Sequence, residues 1–333
     1  MIFRQSQDPI SVVCEEQKSF VAHDKAIRDL IFISPTILAT GSYDNEFSIK
    51  LWDVPSFQLL QKLIGHKGKI RNLQYSEKLR ILASSGDECT VILWKKLART
   101  KWVLIKIIPG KEFMTWGILF DDKRNYLFTG CSHYIEIFHL KKGFKKIRSI
   151  PIRDEHVYGH HVIYSILKYD DKRILSADNE KIIFWNYIRG EKLTEIVAHS
   201  HYIYRLRMFT YSNVQYILSS SEDKFLKFWQ LEHDNSTYKL NALFPTINNN
   251  IAITGLAVLP EYGLVAMGCS SGIEGRGKLI LLDCTEKKII KEYVFDDIGN
   301  VGCLCVAWEP KNRYLVSGFW NGKIKLLKLN INV

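Results

Sequence analysis

The apolar positions of the chain recur in short alternating runs rather than in helical stripes, and the runs come in threes. Between Ala22 and Asp53 a first run carries Ile27, Leu30 and Phe32, and a second is Ile37-Leu38-Ala39-Thr40, ending in a turn that holds Asp44. A third runs from Phe47 to Trp52. Period-2 patterning bounded by turn residues marks β-strands, so the stretch predicts three short strands joined by tight turns. The pattern then repeats. Ile27, Leu30 and Phe32 stand four, seven and nine places after His23; Ile70, Leu73 and Tyr75 stand likewise after His66, and Ile203, Leu206 and Met208 after His199. A register shared by three distant segments is far more specific than any single residue pair.

Seven such units fill the chain. Their closing apolar positions are Trp52, Trp94, Phe138, Trp185, Trp229, Leu282 and Leu327, at spacings of 42 to 53 residues. The openings include Gly65-His66, Gly159-His160 and Ala198-His199, with a degenerate Gly110-Lys111 in the third unit. The longest gap contains His233 to Asn250, a polar, Asn-rich stretch expected to be a loop. Units that run from a Gly-His-like pair to a Trp-Asp-like pair resemble those of the WD-repeat family, whose period is about 40–45 residues. The resemblance implies an all-β fold, a seven-bladed WD-repeat β-propeller. The seventh unit ends on its third strand, whereas Lys18 to Val21 is a strand with no unit of its own. The economical arrangement closes the ring by pairing this N-terminal strand onto the last blade, formed by Tyr314 to Leu329, which locks the ends together. Residues 1–17 then form a lead-in and residues 18–333 a single propeller.

In the WD-repeat family the His, Ser or Thr, Asp and Trp of one blade form a hydrogen-bonded chain. The resemblance therefore implies a structural role for His23-Thr40-Asp44-Trp52, His66-Ser84-Asp87-Trp94 and His199-Ser219-Asp223-Trp229. Ser, His and Asp also make up hydrolase triads, but a set recurring three times at fixed repeat offsets is scaffolding. No P-loop is present and no catalytic residues are assigned, so no enzyme is expected. His156, His160, His161, His199 and His201 cluster in sequence but lack Cys ligands at finger-like spacing. No metal, cofactor or small-molecule substrate is expected.

Charge adds one open question. With 46 Lys and Arg against 35 Asp and Glu the chain carries a formal net charge of +11. Such a balance suits an acidic protein, nucleic acid or acidic lipid heads. The densest basic run, Lys141 to Arg148, should lie in the turn before the outer strand of the third blade and in part of that strand. The seven cysteines are odd in number, form no C-x-x-C pair and several sit in apolar runs, which fits a reducing compartment. The N-terminus has no apolar h-region and no segment approaches 18 uninterrupted apolar residues, so no membrane insertion is expected. An intracellular protein, of cytoplasm or nucleus, is the expectation.

In WD-repeat propellers the residue five places after the His rings one mouth of the central channel, where family members often bind peptides. Carried over, those positions are Arg28, Arg71, Trp116, Ser165, Tyr204, Thr254 and Leu304, with Tyr43 beside Asp44 extending the surface. Two arginines with a Trp and a Tyr supply forks for carboxylate or phosphate and flat aromatic area. The expected function is a non-catalytic scaffold for protein subunits of a larger complex, binding an acidic or phosphorylated peptide at this mouth through Arg28, Arg71, Trp116, Tyr204, Tyr43 and Ser165. The alternative is an RNA-associated or ribosome-assembly propeller that contacts phosphates through its basic surface.

Overall fold

The computed structural model describes residues 10–110, 115–131, 133–152, 162–211, 214–234, 237–242, 247–248, 251–270, 277–284, 286, 288–295 and 301–332. These residues form 29 strands, β1 to β29 along the chain, in seven antiparallel sheets. Each sheet is one blade. Blade one runs from its inner strand β2 (Ile27–Ser34) through β3 (Ile37–Ser42) and β4 (Ile49–Asp53) to its outer strand β5 (Leu59–Leu63). The inner strands of blades two to seven are β6 (Ile70–Ser76), β10 (Gly117–Asp121), β14 (Ile163–Lys168), β18 (Ile203–Tyr211), β23 (Ala252–Leu259) and β27 (Cys303–Glu309). Each touches the inner strand of the next blade, and β27 touches β2, so the ring is closed. No helix among the described residues is long and apolar enough to cross a membrane.

Closure follows the expected route and goes further. β1 (Ser11–Val21) pairs antiparallel with β29 (Lys323–Asn332), from Ser11 opposite Asn332 to Val21 opposite Lys323, with a bulge between Glu16 and Lys18. The strand thus takes in Ser11 to Gln17, expected as lead-in, because Ile10, Val12 and Cys14 pack into the apolar layer between blades six and seven. At the far end of the same pairing, Gly322 at φ +76° brings its carbonyl to the N–H groups of Ala22 and His23, at 2.9 and 3.1 Å. A Cβ at Gly322 would strike the His23 carbonyl, so this turn of blade seven needs glycine both for its φ and for its closeness to blade one.

The core is divided among the blade interfaces. Among the described residues, buried apolar side chains form seven clusters, one between each pair of neighbouring blades. Ile37, Ala39, Ile49 and Leu51 of blade one, for instance, meet Ile70, Leu73, Leu82 and Trp94 of blade two. A sheet with both faces covered by other sheets reads as continuous apolar runs in its middle strands, as the fully buried β3 does. The outer strands are half solvated and need no such run. This explains a correction: the polar stretch expected as a loop contributes β21 (Thr237–Ala242), which pairs with β20 (Phe225–Asp234) as the outer strand of blade five. The short β22 (Ile247–Asn248) also pairs with β20.

Candidate functional site

The recurring His, Ser or Thr, acid and Trp are joined by hydrogen bonds within their blades. In blade one, His23 Nδ1 lies 2.6 Å from Asp44 Oδ2 and Nε2 lies 2.8 Å from Thr40 Oγ1, which also accepts from Trp52 Nε1 at 3.0 Å. Burial pushes the His23 imidazole down, so it is neutral at pH 7 and its single proton sits on Nδ1, donated to the acceptor-only carboxylate. Nε2 then accepts from the Thr40 hydroxyl. Blade five repeats the chain: His199 Nδ1 is 2.8 Å from Asp223 Oδ2, His199 Nε2 is 2.7 Å from Ser219 Oγ, and Trp229 Nε1 donates to Ser219 Oγ at 2.8 Å. Burial alone would raise the Asp223 carboxyl, but the hydrogen bond and charge of His199 and two backbone N–H groups outweigh it and hold it at about 2. In blade four Trp185 Nε1 donates to Ser176 Oγ at 2.9 Å, while His156, His160 and His161 lie outside the described residues.

Blade two departs from the expected set. His66 Nε2 pairs with Ser84 Oγ at 2.7 Å and Trp94 Nε1 donates to the same oxygen at 2.9 Å, but His66 Nδ1 is hydrogen-bonded to Glu88, not to Asp87. Asp87 instead forms a fork-to-fork ion pair with Arg71, whose Nη2 donates to Asp87 Oδ2 at 2.6 Å. Adjacent carboxylates in one turn face opposite ways, and the turn geometry selects which one meets the histidine.

The mouth positions share a backbone device. In six blades the pairing of the inner strand with its neighbour slips by one residue near its start. The extra residues are Arg28, Arg71, Tyr164, Tyr204, Thr254 and Leu304. A β-bulge re-aims the side chain of its extra residue. The extra residue of blade four is therefore Tyr164, not the expected Ser165, and Tyr164 is itself buried. Ser165 is buried, and its Oγ accepts from the Leu206 N–H at 3.2 Å, which ties blade four to blade five. Thr254 and Leu304 are buried as well, and Thr254 Oγ1 donates to the Cys303 carbonyl at 2.8 Å.

The remaining mouth residues meet across the ring. The Arg28 guanidinium lies 5.2 Å from the ring centre of Tyr204 and 5.9 Å from that of Trp116. Arg71 lies 4.2 Å from the Trp116 ring and 4.5 Å from that of Tyr43, and also donates to the Tyr43 hydroxyl. Tyr164 packs edge-on against Trp116 at 4.6 Å and Tyr204 at 5.8 Å, and stacks on Tyr202 at 5.4 Å. Tyr43 meets Trp320 of blade seven edge-on at 6.4 Å. Tyr164, Tyr202 and Trp320 were not singled out in the sequence; only the bulge register and the ring bring them here.

The two arginines differ in what they have left to offer. Burial pushes the Arg71 guanidinium down, opposed by its bond to Asp87, and its charge is already neutralised there. Arg28 has no carboxylate partner among the described residues and lies between two aromatic faces. Cation–π contacts are worth about 0.5–1 kcal/mol each at exposed sites, enough to hold a long side chain in place without quenching its charge. Burial raises the Tyr204 hydroxyl to about 12, so it remains a neutral donor. The site is thus an aromatic wall with one anion-seeking fork over it. The basic run lies elsewhere, on the outer edge of blade three. There β13 (Lys145–Pro151) is exposed, Lys146 pairs with Glu136 at 2.9 Å, and Arg148 donates to the Arg189 carbonyl at 3.2 Å.

Comparison with known proteins agrees with this architecture. The family model described as WD domain, G-beta repeat, matches residues 57–95, 190–230 and 293–327. Periodic tryptophan protein 2 of Saccharomyces cerevisiae is 30% identical over 51% of this chain and 17% of its own length. The p21-activated protein kinase-interacting protein 1-like of Gallus gallus is 21% identical over 73% of the chain and 62% of its length. The CCR4-associated factor 4 homolog of Candida glabrata is 33% identical over 23% of the chain and 13% of its length. The chain spans less than two thirds of each of these relatives. Three matched repeats within a closed ring of seven blades, tied by recurring His–hydroxyl–Trp bonds, make the chain a seven-bladed β-propeller that carries WD repeats.

Proposed function

We propose that the chain is a non-catalytic interaction platform in a larger complex, and that its mouth takes an acidic or phosphorylated segment of a partner protein. WD-repeat propellers are in general interaction scaffolds, and the matching family is not a catalytic one. Two relatives are named for association with other proteins, one with CCR4 and one with p21-activated protein kinase, which supports protein partners for this chain. The observation that carries the finer reading is Arg28. Its guanidinium lies over Trp116 and Tyr204 with no ion-pair partner among the described residues. A partner's carboxylate or phosphate would bond to this fork while an apolar side chain rests on the Trp116 ring. Such charge-assisted pairs and aromatic anchors dominate interfaces of this kind.

Arg28→Glu is the decisive variant, because Arg71→Glu would set a second carboxylate beside Asp87 and disturb the fold. The experiment is capture from native extract by wild type and Arg28→Glu, matched for folding by circular dichroism. Loss of the captured chains with an unchanged melting temperature is expected, since a rim charge contributes little to the fold. An unchanged set of captured chains would move the binding surface to the blade edges. Lys141, Lys142 and Lys145, exposed on blade three, are the place to look for the nucleic-acid alternative. RNA retention at about 150 mM salt, with a steep log–log salt dependence that neutralising these lysines reduces, would favour it.

A further inference from the structure

Beneath the mouth, deeper along the inner strands, the channel holds a cavity of about 350 Å³. Apolar and polar groups share its walls about equally, with Met208, Ala257 and Trp308 among the former and Asp29 of β2, Asn72 and Gln74 of β6 and Arg207 of β18 among the latter.

These polar groups are unequally engaged. Asp29 is fully committed, for Oδ1 accepts from Arg205 Nη2 at 3.1 Å and Oδ2 from the Leu73 N–H at 2.7 Å. Arg207 uses one donor, Nη1, on the Leu206 carbonyl at 3.0 Å, and has no carboxylate within ion-pair distance among the described residues. Asn72 is 7% exposed, and its Oδ1 has no hydrogen-bond partner among the described residues. Two arginines against one aspartate leave a positive charge unbalanced inside the ring, where it is costly without a counter-charge. Burial and the neighbouring Arg205 charge push the Arg207 guanidinium down to about 10, so it stays charged at pH 7.

We infer that the channel cavity is an oxyanion site that takes a phosphate group on the Arg207 guanidinium, with the amides of Asn72 and Gln74 as further partners. The fork suits two phosphate oxygens at once. A planar carboxylate would be saturated by that fork alone. A tetrahedral phosphate also presents oxygens toward β6, where an amide N–H donates to one and Asn72 Oδ1 accepts the proton of a monoprotonated phosphate. The apolar remainder of the cavity leaves room for an organic group attached to it. This site does not depend on the reading of the mouth, from which it differs in residues and depth.

The test uses the full chain and inorganic phosphate, followed by titration calorimetry and ³¹P NMR, with O-phosphoserine and a phosphoserine peptide as further probes. Saturable phosphate binding is expected, weakened about tenfold or more in Arg207→Gln, as loss of a charge-assisted fork implies. It should be retained in Arg28→Gln. Should Arg207→Gln fold poorly, Gln74→Leu keeps the charge and is expected to weaken binding by a smaller factor. If the peptide binds with the same dependence on Arg207, the phosphate comes from a partner's side chain reaching into the channel. If only inorganic phosphate and O-phosphoserine bind, it comes from a small molecule. Absence of saturable binding by all three probes, or equal binding by wild type and Arg207→Gln, would overturn the proposal.

Discussion

Arg205 and Asp29 are joined across the ring: Arg205 Nη2 of blade five lies 3.1 Å from Asp29 Oδ1 of blade one, with side chains only 9% and 10% exposed. The same nitrogen is 3.5 Å from the Arg28 carbonyl, while the other oxygen of Asp29 accepts from the blade-two backbone at Leu73. One carboxylate therefore links blades five, one and two. It also stands between the mouth, where Arg28 and Tyr204 meet, and the cavity that Arg207 lines.

The losses on removing the two members of this pair should not add. Asp29→Ala leaves Arg205 buried without its counter-charge and the Leu73 N–H without its acceptor, so a loss of about 3–5 kcal/mol is expected in urea unfolding. The double variant Asp29→Asn with Arg205→Gln should lose less than the sum of the two single changes. Strictly additive losses would show that the two side chains do not act as a pair.

Asp87 and Glu88 should separate cleanly. Glu88→Ala removes the acid that His66 bonds and is expected to cost about 1–3 kcal/mol of stability. Asp87→Ala frees Arg71 at the mouth, so its main effect should be on capture of an acidic partner. Melting curves and capture by the two variants side by side provide the check, and a reversed order would return Asp87 to the His66 set.

Acid should destabilise the ring in two stages of the same sign. Burial depresses His23 and His199 in the folded state, so between their folded and unfolded pKa values the unfolded chain binds more protons. Their contribution is full above about pH 6.5, the unfolded value, and is lost as pH falls below it. Asp223, held at about 2, adds stability that is present above its unfolded value near 4 and lost as pH falls toward 2. Urea midpoints measured from pH 8 to pH 3 should fall from about pH 6.5 downward, and His199→Gln should flatten the upper part of that slope.

Closure by β1 predicts a global effect from a terminal deletion. Removing residues through Val21 exposes the edge of β29 and uncovers the apolar layer that Ile10, Val12 and Cys14 help to fill. The truncated chain should melt markedly lower and aggregate through its unpaired edge. A truncation that melts like the full chain would show that the last blade is stable with three strands.

The seven blades and their closure were legible in the chain because the signals are local. Period-2 alternation, turn residues and the fixed offsets after His23, His66 and His199 depend only on neighbours in sequence. Even so, backbone pairing makes a strand of Thr237 to Ala242 that a polar composition suggested as loop, since a half-solvated outer strand needs no apolar run. Counting offsets failed by one residue in blade four, where Tyr164 is the extra residue of the bulge between Ile163 and Ser165. The choice of Glu88 over Asp87 was equally invisible, because both are acids in one turn and only its conformation orients them. The Arg205–Asp29 bridge spans 176 residues, and the Arg28–Tyr204 contact a like distance. No periodicity encodes such pairs: they exist because seven packed interfaces bend the row of blades into a ring, and ring closure brings blade five opposite blade one.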